Sequence, residues 1–309
     1  MPIVKTDVPM TYQLARDTAE EIARTYPVCG KRVLTATAFG REVEALNIGS
    51  GSRTVLFTAA HHANEWITAT VLLKFAEELS KAILEGGELY GIPGRLFEEN
   101  CQIFLVPMVD PDGVDLVTGA IPVGSLQWEQ AARLSENYPA IPFPSGWKAN
   151  LLGVDLNLQY PAGWLQAREI KFSQGYTRPG PRDYVGRAPL TQKETRALAD
   201  FTWYLDPALT LAFHTQGETI YWKYDDIEVP GARALGEEFA RLSGYRLEDT
   251  PYESSFAGYK DWFIKTWRRP GFTVEAGKGE NPLPLDQFDS IYSACLGILT
   301  TAALGLPKN

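Results

Sequence analysis

A strand-like run that ends in two adjacent histidines is the feature that most constrains how this chain can fold. Residues 55–60 are apolar or small, and His61 and His62 follow them directly. Glu65 comes three residues after His62, and a segment with the apolar period of a helix begins at Ile67. The stretch therefore predicts a buried strand, a sharp turn and a helix, with the polar cluster at the turn.

His62 and Glu65 could supply two ligands of a catalytic zinc ion. Side chains at positions i and i+3 of a helical turn lean to the same side, so the imidazole and the carboxylate would face one point. A His-x-x-Glu pattern often arises by chance, however, and does not establish a metal site alone. His61 is an alternative ligand, but its spacing to Glu65 is one residue longer, and at a strand end it points away from His62.

Strands and helices alternate along most of the chain. Residues 109–113 read as a tight polar turn, and Thr191 and Glu194 have the spacing of a capping box. Roughly 119–190 is rich in Pro, Gly, Trp and Tyr, and irregular segments of that length are usually functional. The alternation predicts one α/β domain with a mainly parallel sheet. The predicted strands are 32–37, 43–48, 54–59, 102–108, 210–214, 219–222 and 272–275, and the predicted helices are 11–26, 67–84, 191–203, 230–243, 258–267 and 285–304.

Three polar residues stand at the carboxyl ends of predicted strands. His62 follows one strand, and His214 and Glu275 end two others. Because sites in parallel sheets gather at that edge, we expect the three side chains to meet. Two histidines and one glutamate can bind zinc and leave its fourth position for water.

Glu275 suits the part of a general base. Zinc lowers the pKa of a bound water to roughly 7, and a separate carboxylate is then needed to take its proton. Burial at a strand end would raise the pKa of Glu275 toward the range that this role requires. The alternative is a structural carboxylate paired with Lys278 or Arg268.

Composition and missing motifs exclude several classes of function. A net charge of -9 argues against nucleic-acid binding, which needs a basic face. No apolar run is long enough to span a bilayer, and the first residues lack the apolar region of a signal peptide. The motifs of other hydrolases are also missing, since the sequence contains no His-Glu-x-x-His, Gly-x-Ser-x-Gly or Cys-x-x-Cys pattern. Cys29, Cys101 and Cys295 are expected to be buried free thiols. We therefore expect a cytoplasmic protein with no membrane partner, and its oligomeric state is unknown from the sequence.

Six ordered blocks of sequence give the chain a resemblance to the zinc carboxypeptidase family. Within that family it is most similar to the bacterial γ-D-glutamyl-diamino-acid endopeptidases, which cut peptidoglycan peptides. The resemblance extends from about Tyr12 to the last helix. The blocks are residues 61–66, 110–113, 146–150, 153–161, 213–217 and 273–279.

The resemblance implies a fold, a cofactor and roles for the site residues. The fold would be a single domain, with a mixed, mostly parallel eight-stranded sheet between helix layers. One zinc ion per chain would be bound by His62, Glu65 and His214, with Glu275 as the general base. The domain would fill residues 1–309, with a core of about 10–305 and no separate cell-wall-binding domain.

Two departures from the family pattern concern substrate binding. The family places an arginine ahead of the Gly-Val-Asp block to polarise the scissile carbonyl, and Lys148 is the closest match here. A lysine can stabilise an oxyanion as a point charge, without the bidentate fork of arginine. The Asn-Arg pair that grips a terminal carboxylate appears here as Asn157 and Leu158. The loss of that arginine argues against a simple carboxypeptidase.

The segment 257–262 resembles the part of the family that lines the specificity pocket. Lys260 falls at the selector position and would favour an acidic partner such as the distal carboxylate of diaminopimelate, although a solvated helix lysine is the alternative. Tyr252 and Tyr259 are both candidates for the tyrosine that covers the substrate in this family.

The sequence therefore favours a zinc metallopeptidase that hydrolyses the γ-D-glutamyl to diamino-acid bond of murein peptides. Its expected partner is a small acidic peptide substrate. One alternative is a zinc carboxypeptidase or deacylase acting on another small acidic amide. A second alternative is a non-catalytic peptide-binding relative, although a complete ligand set argues against it.

Overall fold

The computed structural model describes residues 2–306. Eight of its strands form one mixed sheet in the order β1-β2-β6-β3-β7-β10-β8-β9, and β4 and β5 form a separate hairpin. The pairs β6–β3, β3–β7, β7–β10 and β8–β9 are parallel. The strands are β1 (Cys29–Ala36), β2 (Glu42–Ile48), β3 (Arg53–Ala59), β4 (Glu88–Leu89), β5 (Ile92–Pro93), β6 (Cys101–Val106), β7 (Leu209–His214), β8 (Thr219–Tyr221), β9 (Arg246–Glu248) and β10 (Gly271–Glu275).

Helices cover the sheet in layers, which confirms the predicted α/β class. The helices α1, α2, α3, α8 and α10 contact one another, while α7 packs on β1 and α9 packs on β7 and β10. The helices are α1 (Tyr12–Thr25), α2 (Ile67–Glu85), α3 (Gly94–Asn100), α4 (Pro111–Val117), α5 (Leu126–Ser135), α6 (Trp164–Ser173), α7 (Lys193–Leu205), α8 (Ala232–Ser243), α9 (Tyr259–Trp267) and α10 (Phe288–Leu304).

The predicted polar turn at 109–113 is instead the start of a helix. The Asp110 side chain accepts a hydrogen bond from the Gly113 amide at 3.0 Å, and Pro111 takes the first helical position of α4. A cap residue followed by proline is a start signal for a helix as well as a turn signal. The capping box expected at Thr191 is also absent, because Gln192 is the N-cap and the Thr191 hydroxyl bonds Gln159 at 2.9 Å.

The central sheet and its helices bury one large apolar core, and the three cysteines lie within it as free thiols, as predicted. Strands β3 and β7 are buried along nearly their whole length, which explains their uninterrupted apolar sequence. No helix within residues 2–306 has the length and apolar character needed to cross a membrane.

Candidate metal centre and active site

The strand register brings the predicted site residues to one edge of the sheet. In the parallel ladder, Ala59 of β3 is opposite Phe213 of β7, and His214 of β7 is opposite Glu275 of β10. Three neighbouring strands therefore end at the same level. The turn that follows β3 carries His62 and Glu65 over this edge.

His62, Glu65 and His214 form a compact, buried group with converging ligand atoms. The two Nδ1 atoms of His62 and His214 are 3.2 Å apart. The Glu65 carboxylate lies 3.1 Å from Nδ1 of His62 and 2.9 Å from Nδ1 of His214. Three lone-pair donors facing one another away from water are costly unless a cation lies between them, and this donor set is one that zinc prefers. Among residues 2–306, no other group of His, Cys, Asp or Glu side chains converges in a way that could hold a metal ion.

Asp155 supports the group from behind. Its Oδ1 lies 3.2 Å from Nε2 of His62, and its Oδ2 accepts the backbone N–H of Asp183 at 3.2 Å. A carboxylate on the far nitrogen of a ligand histidine fixes its tautomer and its orientation. The sequence reasoning did not assign Asp155 a role, although its position in the Gly-Val-Asp block was the available signal.

His61 lies outside the metal group. It is buried, its Nε2 lies 3.3 Å from the hydroxyl of Tyr160, and its ring stacks on that of His214 at 5.6 Å. This histidine therefore packs behind the group, as its position on an alternating strand end suggested.

Glu275 is partly exposed at the end of β10, beside the metal group. Partial burial among the site residues raises the pKa of Glu275, although the nearby His214 acts in the opposite direction. Neither ion pair considered from the sequence forms within the described chain, since Lys278 pairs with Glu218 at 2.6 Å and Arg268 caps the end of α9. The Glu275 carboxylate is therefore free to accept a proton.

Lys148 lies at the metal group, and its role in place of the family arginine stays a prediction. Its Nζ is 3.2 Å from Oε1 of Glu65, and its backbone oxygen accepts the N–H of Ala63 at 3.1 Å. Burial by itself lowers the pKa of Lys148, but the negative charges of Glu65, Asp155 and Glu275 together outweigh this effect and raise it. Lys148 is therefore a fixed cation next to the ligands.

Two cavities meet at this point. The first has a volume of about 240 Å³ and the second about 420 Å³. Lys148, Arg182, Tyr221 and Glu275 line both of them, so these four residues mark the junction. A bound chain could therefore extend through this junction, beside the metal group, from one cavity into the other.

The residues expected to bind substrate line the first cavity to different degrees. Its wall includes Asn157, Tyr259 and Lys260. Tyr252 does not line it, although Pro251 and Ser254 on the same short turn do. The Asn157 side-chain oxygen accepts the N–H of Tyr259 at 3.0 Å. Leu158 also lines this cavity and packs in a small apolar cluster, so it offers no charge to a substrate.

Lys260 is buried, with 4% of its surface exposed, and is not a solvated helix lysine. Its ammonium group forms an ion pair with Asp261 at 2.7 Å and donates to the Thr250 hydroxyl at 3.1 Å and to the backbone oxygen of Lys223. Lys260 is therefore a buried cation that is already well paired within the protein.

The two candidate tyrosines occupy very different environments. Tyr259 is fully buried, and its hydroxyl lies 2.9 Å from that of Thr202. Tyr252 is 60% exposed on a short turn, and its hydroxyl accepts a hydrogen bond from Gln166 at 2.6 Å. Only Tyr252 of the two could swing over a substrate without disrupting the core.

Sequence reasoning also missed a charged cluster in the irregular middle of the chain. Lys171, Arg182 and Asp183 line the first cavity, with Asp183 bound to Lys171 at 2.8 Å and to Arg182 at 2.6 Å. The only signal was the unusual length of that segment. Its residues showed no pattern that pointed to a substrate site.

Comparison with known proteins gives the family. The family model described as zinc carboxypeptidase matches residues 16–293, and the chain belongs to this family. It is 41% identical over 288 residues to γ-D-glutamyl-L-diamino acid endopeptidase 1 of Lysinibacillus sphaericus, covering 93% of this chain and 70% of that protein. It is 39% identical over 286 residues to the uncharacterized protein YqgT of Bacillus subtilis, covering 92% and 74%.

The fold of solved carboxypeptidase-type structures agrees with this assignment. Bovine thrombin-activatable fibrinolysis inhibitor, in complex with tick carboxypeptidase inhibitor, superposes with a TM-score of 0.72 at 15% identity, covering 96% of this chain and 97% of that one. The chain is thus a hydrolase of the zinc carboxypeptidase type, and its cofactor is zinc.

Proposed function

We propose that this chain hydrolyses the amide bond between a γ-linked D-glutamyl residue and a diamino acid in peptidoglycan peptides. The observation that carries the proposal is that the metal group borders the first cavity beside its junction with the second, with Leu158 in place of a carboxylate-gripping arginine. A substrate that extends to both sides of the reacting bond fits this arrangement. The activity named for the Lysinibacillus sphaericus relative supports the same reaction class.

His62, Glu65 and His214 would hold one zinc ion per chain, which would lower the pKa of a bound water to roughly 7. Asp155 keeps the His62 imidazole in one orientation through its contact with Nε2. Glu275 accepts the proton of the attacking water and passes it to the leaving amine, a role that suits its raised pKa. Lys148 stabilises the negative charge that develops on the scissile carbonyl oxygen.

The first cavity would take the leaving diamino acid. Lys260 and Asn157 line this cavity, and the lysine would face the distal carboxylate of diaminopimelate. Tyr252 would cover the bound substrate, because its side chain is exposed beside the cavity. The cytoplasmic location of the protein stays a prediction from the sequence. There it would act in the recycling of such peptides or in spore development.

Incubation of the zinc-loaded protein with L-Ala-γ-D-Glu-meso-diaminopimelate, followed by mass spectrometry, tests the proposal. The expected products are L-Ala-D-Glu and free diaminopimelate. An L-Ala-α-L-Glu-meso-diaminopimelate peptide of identical mass is the matched control and should be cut far more slowly. Release of the C-terminal residue from the α-linked peptide alone would instead indicate an ordinary carboxypeptidase.

A further inference from the structure

Arg182 occupies the junction between the two cavities without a role in the mechanism above. The carbonyl oxygen of Pro181, immediately before it, accepts the backbone N–H groups of Lys148 at 2.7 Å and Ala149 at 2.9 Å. The N–H of Asp183, immediately after it, donates to Asp155 at 3.2 Å. The backbone of Arg182 is therefore tied on both sides to residues that border the metal group.

The guanidinium group of Arg182 donates a hydrogen bond within the described chain from Nε alone. Its Nε donates to Asp183 at 2.6 Å, and Asp183 is held in turn by Lys171 at 2.8 Å. No acceptor within residues 2–306 takes a hydrogen bond from the two terminal nitrogens, and 41% of the side chain is exposed. A planar guanidinium with one edge anchored and one edge free is well suited to bind a carboxylate in a bidentate manner.

The other cations at the site lie elsewhere, since Lys171 and Lys260 line the first cavity and not the second, and Lys148 contacts Glu65 at the metal group. Lys171 pairs with Asp183, Lys260 pairs with Asp261, and Lys148 pairs with Glu65. The cations that line the second cavity are Lys148 and Arg182. Because the mechanism assigns Lys148 to the scissile carbonyl oxygen, an anionic group entering the second cavity would meet the free edge of Arg182.

We propose that Arg182 binds the α-carboxylate of the γ-linked glutamyl residue and so selects γ-glutamyl over ordinary acyl groups. A γ-linkage leaves a carboxylate on the acyl side of the scissile bond, separated from the reacting carbonyl by two methylene groups and the α-carbon. An ordinary α-linked peptide carries no obligatory charge at that position. The inference rests on the proposed function, because it assigns the glutamyl residue to the second cavity.

The test compares two substrates that differ in one group. One is L-Ala-γ-D-Glu-meso-diaminopimelate, and the other has the glutamyl α-carboxylate replaced by a carboxamide. The unmodified protein should prefer the carboxylate by about 10- to 100-fold in kcat/KM, the scale of a charge-assisted bidentate contact. Arg182→Gln should bring the two values together, because a neutral amide cannot distinguish them by charge.

Arg187→Gln is the matched control, since Arg187 is exposed and lines neither cavity. It makes the same change of charge five residues further on and should keep the full preference. Arg182→Lys keeps the charge without the fork and should keep only part of it. Zinc content and melting temperature establish that each variant is folded, and Arg182→Lys carries the test if Arg182→Gln does not fold.

A third substrate, amidated on the α-carboxylate of the leaving diamino acid, identifies the source of the carboxylate. If Arg182→Gln removes discrimination against this substrate instead, Arg182 binds the leaving residue and the proposal is wrong. An unchanged preference for the glutamyl carboxylate in Arg182→Gln would overturn it as well. If the unmodified protein cuts none of the γ-linked substrates, the proposed function fails, and the assignment of Arg182 falls with it.

Discussion

At the scale of single residues, the partners of each carboxylate near the metal group decide what it can do. Glu65 faces two imidazole nitrogens and Lys148, and Asp155 contacts His62 and two backbone amides. Both are held in place and suit the roles of ligand and support. Glu275 has no ion-pair partner within residues 2–306, and burial raises its pKa. It is therefore the carboxylate free to exchange a proton.

We expect Glu275→Gln to fold and bind zinc but to hydrolyse its substrate at least ~10²-fold more slowly, the usual scale for loss of a general base. Glutamine keeps the size of the side chain and removes its basicity. Single-turnover rates on a γ-linked peptide, together with metal analysis, measure both effects. Turnover near that of the unmodified protein would move the base elsewhere, with Glu218 and Glu280 the next candidates.

The two neighbouring histidines provide a second test at this scale. His214→Ala should lose most of the bound zinc, because it removes one of three ligands. His61→Ala should keep the zinc, since His61 contacts Tyr160 and stacks on His214 without joining the group. Metal content after gel filtration measures the difference. Loss of zinc from His61→Ala, with retention in His62→Ala, would show that the ligand assignment is shifted by one residue.

At the scale of elements, the sequence predicted helices and strands best where they bury a wide face. Helix α2 buries thirteen of its nineteen residues and β3 most of its seven, so their apolar patterns were plain. Helix α5 buries only Ala131, and α6 buries only Ala167 and Lys171, so neither shows an apolar stripe and both were taken as irregular. Lys171 lies on α6 and was missed for this reason, whereas Arg182 lies on a loop of the same region that follows no period.

The first turn of α9 carries a buried ion pair whose loss should be costly. Lys260→Met leaves Asp261 buried without its cation, and removal of one partner of such a pair typically costs about 3–5 kcal/mol. Part of this loss should return in the double variant Lys260→Met with Asp261→Asn, which has no unpaired charge. Denaturant unfolding measures both free energies.

The double variant also tests the selectivity predicted for Lys260. The unmodified protein should prefer a diaminopimelate leaving residue over lysine by about 10- to 100-fold in kcat/KM, and the double variant should lose most of that preference. Equal discrimination before and after the change would mean that Lys260 is a structural cation, bound by Asp261 and Thr250. Another cation at the site would then do the selecting.

At the scale of the whole molecule, the sheet order explains why distant parts of the chain build one site. Strands β3, β7 and β10 are neighbours, although some 150 residues separate the first two in sequence. The alternation of strands and helices predicted that His62, His214 and Glu275 would meet at one edge of a parallel sheet, and the family resemblance supplied the complete ligand set. The walls of the cavities come from loops that follow no period, so the structure was needed to place them.

Zinc should therefore stabilise the fold as a whole, because its ligands join the turn after β3 to the end of β7 at the centre of the sheet. Without the ion, three buried donor groups face one another at about 3 Å.

A ligand at a thousand times its Kd adds about 4 kcal/mol to the free energy of unfolding, which raises Tm on the order of 5–10 °C for a chain of this size. We expect Tm to fall by that amount after dialysis against a chelator and to recover with one equivalent of zinc. Magnesium, which prefers oxygen ligands, is the control and should restore neither Tm nor hydrolysis. A Tm that does not depend on zinc would mean that the metal binds without holding these elements together.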